Sequence, residues 1–191
     1  MWRKIKLFVI LPIIILLVSL RLATLSPTPP AHLQPQPSPS PLGPDYIGWK
    51  EYENETYHYL IKRPHNWYFH QADINPPPPT TIRLSNVPED RTNAPHVFVE
   101  IFVDERLGRT LDTYEEITNL VAQGHVARQL EVSKSPAVLI DHLGDSGELA
   151  NMYVEHGDYI YRLSWSGTHH DVRKHFKDKC LAIMASLTFL D

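Results

Sequence analysis

The sequence predicts an α+β domain in which a mostly antiparallel central sheet is flanked by helices, with one transmembrane helix before it. Three observations favour this prediction: an apolar run near residue 1, several runs in which apolar and polar residues alternate, and two segments of helical periodicity. A period of two is typical of a half-buried strand, and a period of three to four is typical of an amphipathic helix. We therefore divide the chain into a membrane segment (1–25), a proline-rich linker (26–44) and a folded domain (45–191).

The membrane segment is predicted to be a signal anchor. Met1–Lys6 carries three basic residues, and Leu7–Leu20 is an apolar run interrupted by one proline and one serine. Counted on to Leu25, the run approaches the roughly 20 residues that span a bilayer. A cleaved secretory signal is the alternative, but Arg21 makes a poor cleavage site. The basic end should stay in the cytoplasm, so we expect a single-pass cell-membrane protein whose C-terminal domain is extracytoplasmic.

The linker, Ser26–Pro44, contains eight prolines in 19 residues. Proline lacks the backbone donor that helices and sheets need. The composition therefore predicts an extended, semi-rigid spacer between the membrane and the domain.

Charge and cysteine content exclude several classes of protein. Four of the 18 basic residues and none of the 22 acidic residues precede Asp45, so the remainder carries 14 basic and 22 acidic side chains, a formal net charge of −8. Such a domain is a poor nucleic-acid binder, because phosphate neutralisation supplies most non-specific affinity. The single cysteine, Cys180, allows no internal disulfide and no Cys-x-x-Cys metal site.

The domain is organised around Tyr57–Trp67, which predicts a buried strand, a proline turn at Pro64 and a tryptophan in the core. The strongest later strand is His96–Asp104, where apolar residues occur on both faces, so we expect a central strand covered on both sides. Asn75–Pro79 is a four-proline loop that should not join a sheet. The remaining predicted strands are Ile47–Tyr52 at an edge, Trp67–Gln71, Thr80–Ser85, His125–Ser133, Pro136–His142, Glu148–Glu155, Tyr159–Ser166 and a short Leu187–Leu190.

Two helices are predicted. The first is Thr110–Gln123, capped by Thr110 and stopped by Gly124. The second begins after Thr168 as its cap, with Asp171 as an acidic partner, and its apolar stripe includes Cys180 as an inert buried thiol.

Taken together, these features resemble the PsbP-like family, whose founding member is an extrinsic protein of photosystem II. The resemblance is carried by Tyr52-Glu53-Asn54 through Ile61-Lys62-Arg63-Pro64-His65-Asn66-Trp67, by Gly157-Asp158-Tyr159-Ile160-Tyr161-Arg162-Leu163, and by Ser186-Leu187-Thr188-Phe189. It covers roughly Trp49 to Asp191 and implies a central antiparallel sheet between helical layers. It also implies a non-enzymatic binding role outside the cytoplasm. The chain departs from the cyanobacterial pattern because it has no lipoprotein cysteine.

Histidines are the one compositional oddity, with 11 in the chain. The densest group is His169, His170, Asp171 and His175, at the start of the last helix. His170 and His175 are five residues apart, which places them about 140° apart around a helix, a poor arrangement for one metal ion. A solvated basic face with Arg173, Lys174, Lys177 and Lys179 is the preferred interpretation, and a metal site is the alternative.

No catalytic motif emerges. Asp141-His142 and His156-Gly157-Asp158 have no adjacent nucleophile and are interpreted as turn residues. Ser164-Trp165-Ser166-Gly167 lacks the first glycine of a nucleophile elbow. Trp67 is interpreted as core, with an exposed partner anchor as the alternative.

The sequence therefore predicts a non-catalytic, extracytoplasmic binding or assembly module without a cofactor. It would be tethered to the membrane and would bind a protein partner there, not nucleic acid. The alternative is a metal-binding or metal-delivery protein that uses surface histidines.

Overall fold

The computed structural model describes residues 34–35, 45–71, 81–91, 93–144 and 147–190. The predicted membrane segment, most of the linker and the four-proline loop at Asn75–Pro79 lie outside the described residues. The strands are β1 (Gln34–Pro35), β2 (Lys50–Asn54), β3 (Tyr59–Arg63), β4 (Tyr68–Gln71), β5 (Thr81–Ser85), β6 (Val97–Glu105), β7 (Val126–Val132), β8 (Ser135–Gly144), β9 (Gly147–His156), β10 (Tyr159–Gly167) and β11 (Thr188–Phe189). The α-helices are α1 (Glu115–Ala122) and α2 (His170–Ala185).

The strands form two sheets. One has eight strands in the order β1-β7-β8-β9-β10-β6-β5-β4, and the other has three in the order β11-β3-β2. All pairings are antiparallel except β1 with β7. The predicted α+β class, a mostly antiparallel sheet with two helices, is therefore confirmed. The strand within Tyr57–Trp67 is β3, and it is the middle strand of the small sheet.

The two helices pack on opposite faces of the large sheet. Helix α2 contacts β6, β9 and β10 of that sheet and also β3 of the small sheet. The main core lies there and includes Trp67, which is 2% exposed, and Cys180, which is fully buried. A second, smaller core on the other face contains Ile117 of α1 together with Val138, Ile140 and Tyr153. The predicted burial of Trp67 and Cys180 is confirmed.

The second face of β6 differs from the prediction of a strand buried on both sides. Val97, Val99, Ile101 and Val103 are buried, but Phe98 and Phe102 are only half-buried. The Arg83 guanidinium lies 4.5 Å from the centre of the Phe98 ring, and that of Arg162 lies 4.1 Å from the Phe102 ring. Long cationic side chains, not a helical layer, therefore cover this part of the sheet.

Several predicted boundaries are wrong for identifiable reasons. Thr110–Gln123 is not one helix: Tyr114 is extended (φ −72°, ψ 118°) and separates a 3-10 turn, Leu111–Thr113, from α1. Thr168 does not cap α2, because the N-cap is His169 and the Thr168 hydroxyl accepts a hydrogen bond from the His96 N–H. Two linker residues, Gln34 and Pro35, pair with Arg128 and Gln129, so the spacer contributes to a sheet at these positions.

Other boundaries shift because strands run further than the turn signals indicate. Asp141 and His142 lie within β8 and are not turn residues. Strand β2 continues to Asn54, two residues beyond the end of the predicted edge strand Ile47–Tyr52. Gly157 and Asp158 do form the turn between β9 and β10, and Gly157 has a φ of +55° that favours glycine.

Candidate binding surface at the end of the large sheet

A turn beside the β9–β10 connection presents an apolar side chain to solvent. Strand β6 ends at Glu105, and Arg106–Arg109 then form a turn in which the Arg109 N–H donates to the Arg106 carbonyl at 2.9 Å. Its two central residues, Leu107 and Gly108, have φ values of +48° and +77°. Positive φ at both central positions defines a type I′ turn, which favours Asn-Gly and disfavours a branched apolar residue.

Leu107 is 78% exposed. A left-handed backbone costs a non-glycine residue about 1–2 kcal/mol. Leu107 therefore has a strained backbone, and its apolar side chain is exposed to water. Strain of this kind persists only where the surroundings impose it, and it is found preferentially at binding sites.

Two arginines hold the turn in place. The Arg106 N–H donates to the Asp158 carbonyl at 2.7 Å, and Arg106 Nε donates to the Arg109 carbonyl at 2.6 Å. In return Arg109 Nε donates to the Arg106 carbonyl at 3.0 Å, and its Nη2 donates to the Glu105 carbonyl. Arg106 Nη1 also forms an ion pair with Glu155 at 2.9 Å. At least five polar contacts therefore hold this turn in place, with Leu107 exposed at its tip.

A depression lies on each side of this turn. The first has a volume of about 560 Å³ and is lined by Glu105, Arg106, Leu107, Gly108, Gly157, Asp158 and Tyr159. The second, about 380 Å³, lies against α1 and is lined by Arg109, Tyr114, Glu115, Glu116, Asn119, Leu120 and Gln123. We call the turn and both depressions the Leu107 surface.

The second depression has a rigid floor. The Tyr114 hydroxyl donates to Asp104, and the Arg109 guanidinium lies 5.2 Å from the centre of the Tyr114 ring. Burial, and then the Asp104 carboxylate, raise the pKa of Tyr114, so its hydroxyl stays protonated and able to donate at alkaline pH values where a solvated tyrosine ionises. Tyr114 is extended and directly precedes the first residue of α1, and its ring lies in the lining of this depression.

The structure brings together one pair that the sequence did not suggest. Ser135 Oγ lies 2.8 Å from His156 Nδ1, although no nucleophile was expected near His156. Ser135 is 5% exposed, and the imidazole stacks on Phe189 at 3.8 Å. Within the described part of the chain, no carboxylate forms an ion pair with His156. The pair therefore joins β8, β9 and β11 and lacks the access and the orienting acid of a catalytic dyad.

The predicted histidine group does not converge. His169, His170, Asp171 and His175 are all exposed, and the His175 ring lies edge-on to Phe176. Among the described residues, no three His, Cys, Asp or Glu side chains are placed to hold one metal ion. Arg173 also departs from the predicted solvated face, because it is 3% exposed and donates from Nη1 to the Gly167 carbonyl.

Sequence reasoning assigned no role to Glu105–Arg109. The sequence does contain one indication of an exposed apolar residue here, because Leu107 and Gly108 lie between Arg106 and Arg109 in the polar loop that follows β6. Its left-handed backbone is not readable from the sequence.

Comparison with known proteins identifies a similar fold and indicates no activity. No protein-family model matches the chain, and no curated protein sequence matches it. The solution structure of cyanobacterial PsbP from Synechocystis sp. PCC 6803 superposes with a TM-score of 0.52 at 12% identity, covering 80% of this chain and 98% of that one. A protein of unknown function from Pseudomonas aeruginosa gives a TM-score of 0.40 at 13% identity, covering 72% and 94%, which is too low for an argument about fold. The fold is thus similar to that of PsbP, as the sequence motifs implied.

Proposed function

We propose that the protein is a non-catalytic binding or assembly module that is tethered to the cell membrane and holds a protein partner outside the cytoplasm. The observation that supports this most directly is the Leu107 surface. A turn whose backbone is held in one conformation before association loses little entropy on binding, so an exposed leucine at the tip of such a turn is suited to anchor a partner.

Partner capture tests this function. The bait is the tagged, full-length chain, incubated with detergent-solubilised native membranes with and without chelator. We expect one membrane protein to be captured in both conditions. We expect Leu107→Asn to reduce its capture about tenfold, because a tenfold loss of affinity corresponds to about 1.4 kcal/mol and an anchor residue contributes at least that much. Ile47→Asn is the matched control, because Ile47 is 87% exposed and lies outside the Leu107 surface.

The same substitution separates binding from stability. Asn-Gly is the preferred type I′ pair, so Leu107→Asn should raise the free energy of unfolding by about 1 kcal/mol, measured by urea denaturation. A variant that is more stable yet fails to capture the partner would assign the leucine to recognition. Equal capture by Leu107→Asn and the intact chain would refute the proposed site, and capture lost with chelator would favour a metal-dependent role.

Membrane tethering is a separate part of the proposal and rests on residues 1–25. Within the part of the chain that the structure describes, no helix has the length and apolarity to cross a bilayer. We expect the full-length chain to remain in alkaline-washed membranes and a chain without residues 1–25 to be released. Recovery of both chains in the soluble fraction would contradict the tether, and mass spectrometry of the N-terminus would identify a cleaved signal.

A further inference from the structure

The depression between Leu107 and the β9–β10 turn contains two carboxylates without a counterion. Glu105 and Asp158 are exposed, and neither forms an ion pair with another described residue. The arginine of the same depression is neutralised, because Arg106 Nη1 pairs with Glu155, whose other oxygen accepts the Leu111 N–H at 3.2 Å. The Arg109 guanidinium, which donates to the Glu105 carbonyl, is a further cation beside it, so the three carboxylates and two arginines around the depression carry a net formal charge of −1.

One of the residues that line this depression is aromatic. Tyr159 lines it, and the Tyr57 ring stands edge-on to Tyr159 at a centroid distance of 5.4 Å. Burial, Tyr159 and the charge of Glu105 raise the pKa of Tyr57, which places Glu105 within electrostatic range of the same rings. Carboxylates next to an aromatic surface are the combination that binds a guanidinium, through charge-assisted hydrogen bonds and stacking.

We propose that this depression binds an arginine side chain of the partner protein, next to the apolar pocket of the partner that receives Leu107. The inference rests on the proposed function and names the partner's chemistry: a basic residue beside an apolar cavity. Arginine is favoured over lysine because its planar fork satisfies two carboxylates and stacks on tyrosine. A divalent metal ion is disfavoured, because no third carboxylate, histidine or cysteine joins Glu105 and Asp158 in the part of the chain that the structure describes.

A small probe tests the site without the partner. Amide NMR spectra of the full-length chain in detergent micelles are recorded with N-acetyl-arginine amide, and with N-acetyl-citrulline amide as the neutral isostere. We expect arginine alone to shift the amides of 105–108 and 157–159, with weak affinity that falls as salt rises. The Glu105→Gln/Asp158→Asn variant should bind about tenfold more weakly. Equal shifts with citrulline, or unchanged binding by the variant, would overturn the proposal, as would shifts produced by calcium chloride and not by arginine.

Partner capture then distinguishes this inference from the proposed function. The Glu105→Gln/Asp158→Asn variant should capture the partner several-fold less well and lose the salt dependence of capture. Glu53→Gln/Glu131→Gln is the control, because both residues are exposed on other strands and the change in net charge is identical. If the carboxylate variant captures normally while Leu107→Asn does not, the arginine inference is wrong and the binding function stands. If neither variant affects capture, the Leu107 surface is not the binding site. If the intact chain captures no partner, the binding function itself is wrong.

Discussion

Gly167→Ala is expected to lower the free energy of unfolding by about 3 kcal/mol, the upper range for overpacking a core. Gly167 is buried at the end of β10 and pairs with Val97. A Cβ atom at this position would lie 2.7 Å from Val97 Cγ1, 2.8 Å from Arg173 Cγ and 3.0 Å from the His96 carbonyl oxygen. The first two contacts are side chains, but the third is backbone that is held by the Thr168 N–H, so the crowding cannot relax fully. Urea denaturation of the purified chain measures the change.

Two controls make this expectation specific. Ser166→Ala changes the preceding residue, which is half-buried on the opposite face, and should alter stability by less than about 0.5 kcal/mol. In a Val97→Ala background, the cost of Gly167→Ala should shrink, because the closest contact has been removed. An equal cost in both backgrounds would exclude Val97 as the source and assign the effect to the contacts with Arg173 Cγ and the His96 carbonyl oxygen.

Alkaline pH should unfold the domain cooperatively. Burial is the largest cause that raises the pKa values of Tyr59, Tyr114, Tyr153 and Tyr161, the last to about 12, and it raises that of Cys180 to about 12. These groups stay protonated in the folded state at pH values where the unfolded chain has lost the same protons. The unfolded state then binds fewer protons, so stability is complete below about pH 9 and falls as the pH rises further.

The expected size of this alkaline effect is large. Each such group removes at most about 1.4 kcal/mol per pH unit between its unfolded and folded pKa values, so by about pH 11.5 the loss from five groups is comparable with a typical stability of 5–15 kcal/mol. Near-ultraviolet circular dichroism and tyrosinate absorbance should therefore change together, and Tyr59→Phe should make the decline shallower. Gradual tyrosine ionisation near pH 10 with an intact circular dichroism signal would contradict the assigned burial.

The sequence predicted the elements that periodicity determines. The alternation in β6, the turn at Gly157-Asp158 and the apolar stripe of α2 each follow from local spacing, and the structure has all three. Ser186-Leu187-Thr188-Phe189 also has a clear role: Ser186 Oγ accepts the Lys62 N–H at 2.9 Å, and Thr188 pairs with Leu60. This segment joins α2 to the small sheet.

Features that depend on distant partners were not predictable. The helix break at Tyr114 reflects a hydroxyl bond to Asp104, and the Ser135–His156 contact requires the register of two hairpins. The β7–β8 turn uses Ser133 and Lys134 at positive φ, a pair without the Asn-Gly signal. The Leu107 surface was missed for the same reason, since its strained turn is imposed by Arg106, Arg109 and the neighbouring β9–β10 connection.

The small sheet is completed by β11, the last strand of the chain, and this order affects when the sheet can form during synthesis. Strand β3 is bordered by β11, with Thr188 and Leu60 separated by 128 positions, and the Leu190 N–H donates to the His58 carbonyl at 2.8 Å. At a synthesis rate of about 5–20 residues per second, β11 follows β3 by roughly 6–26 s. Throughout that interval β3 can pair with β2 but not with β11, and Tyr59 and Ile61 lack the part of their core that comes from the C-terminal helix α2. The nascent chain therefore cannot complete the small sheet until its last residues have been made, so this sheet forms after synthesis and not during it.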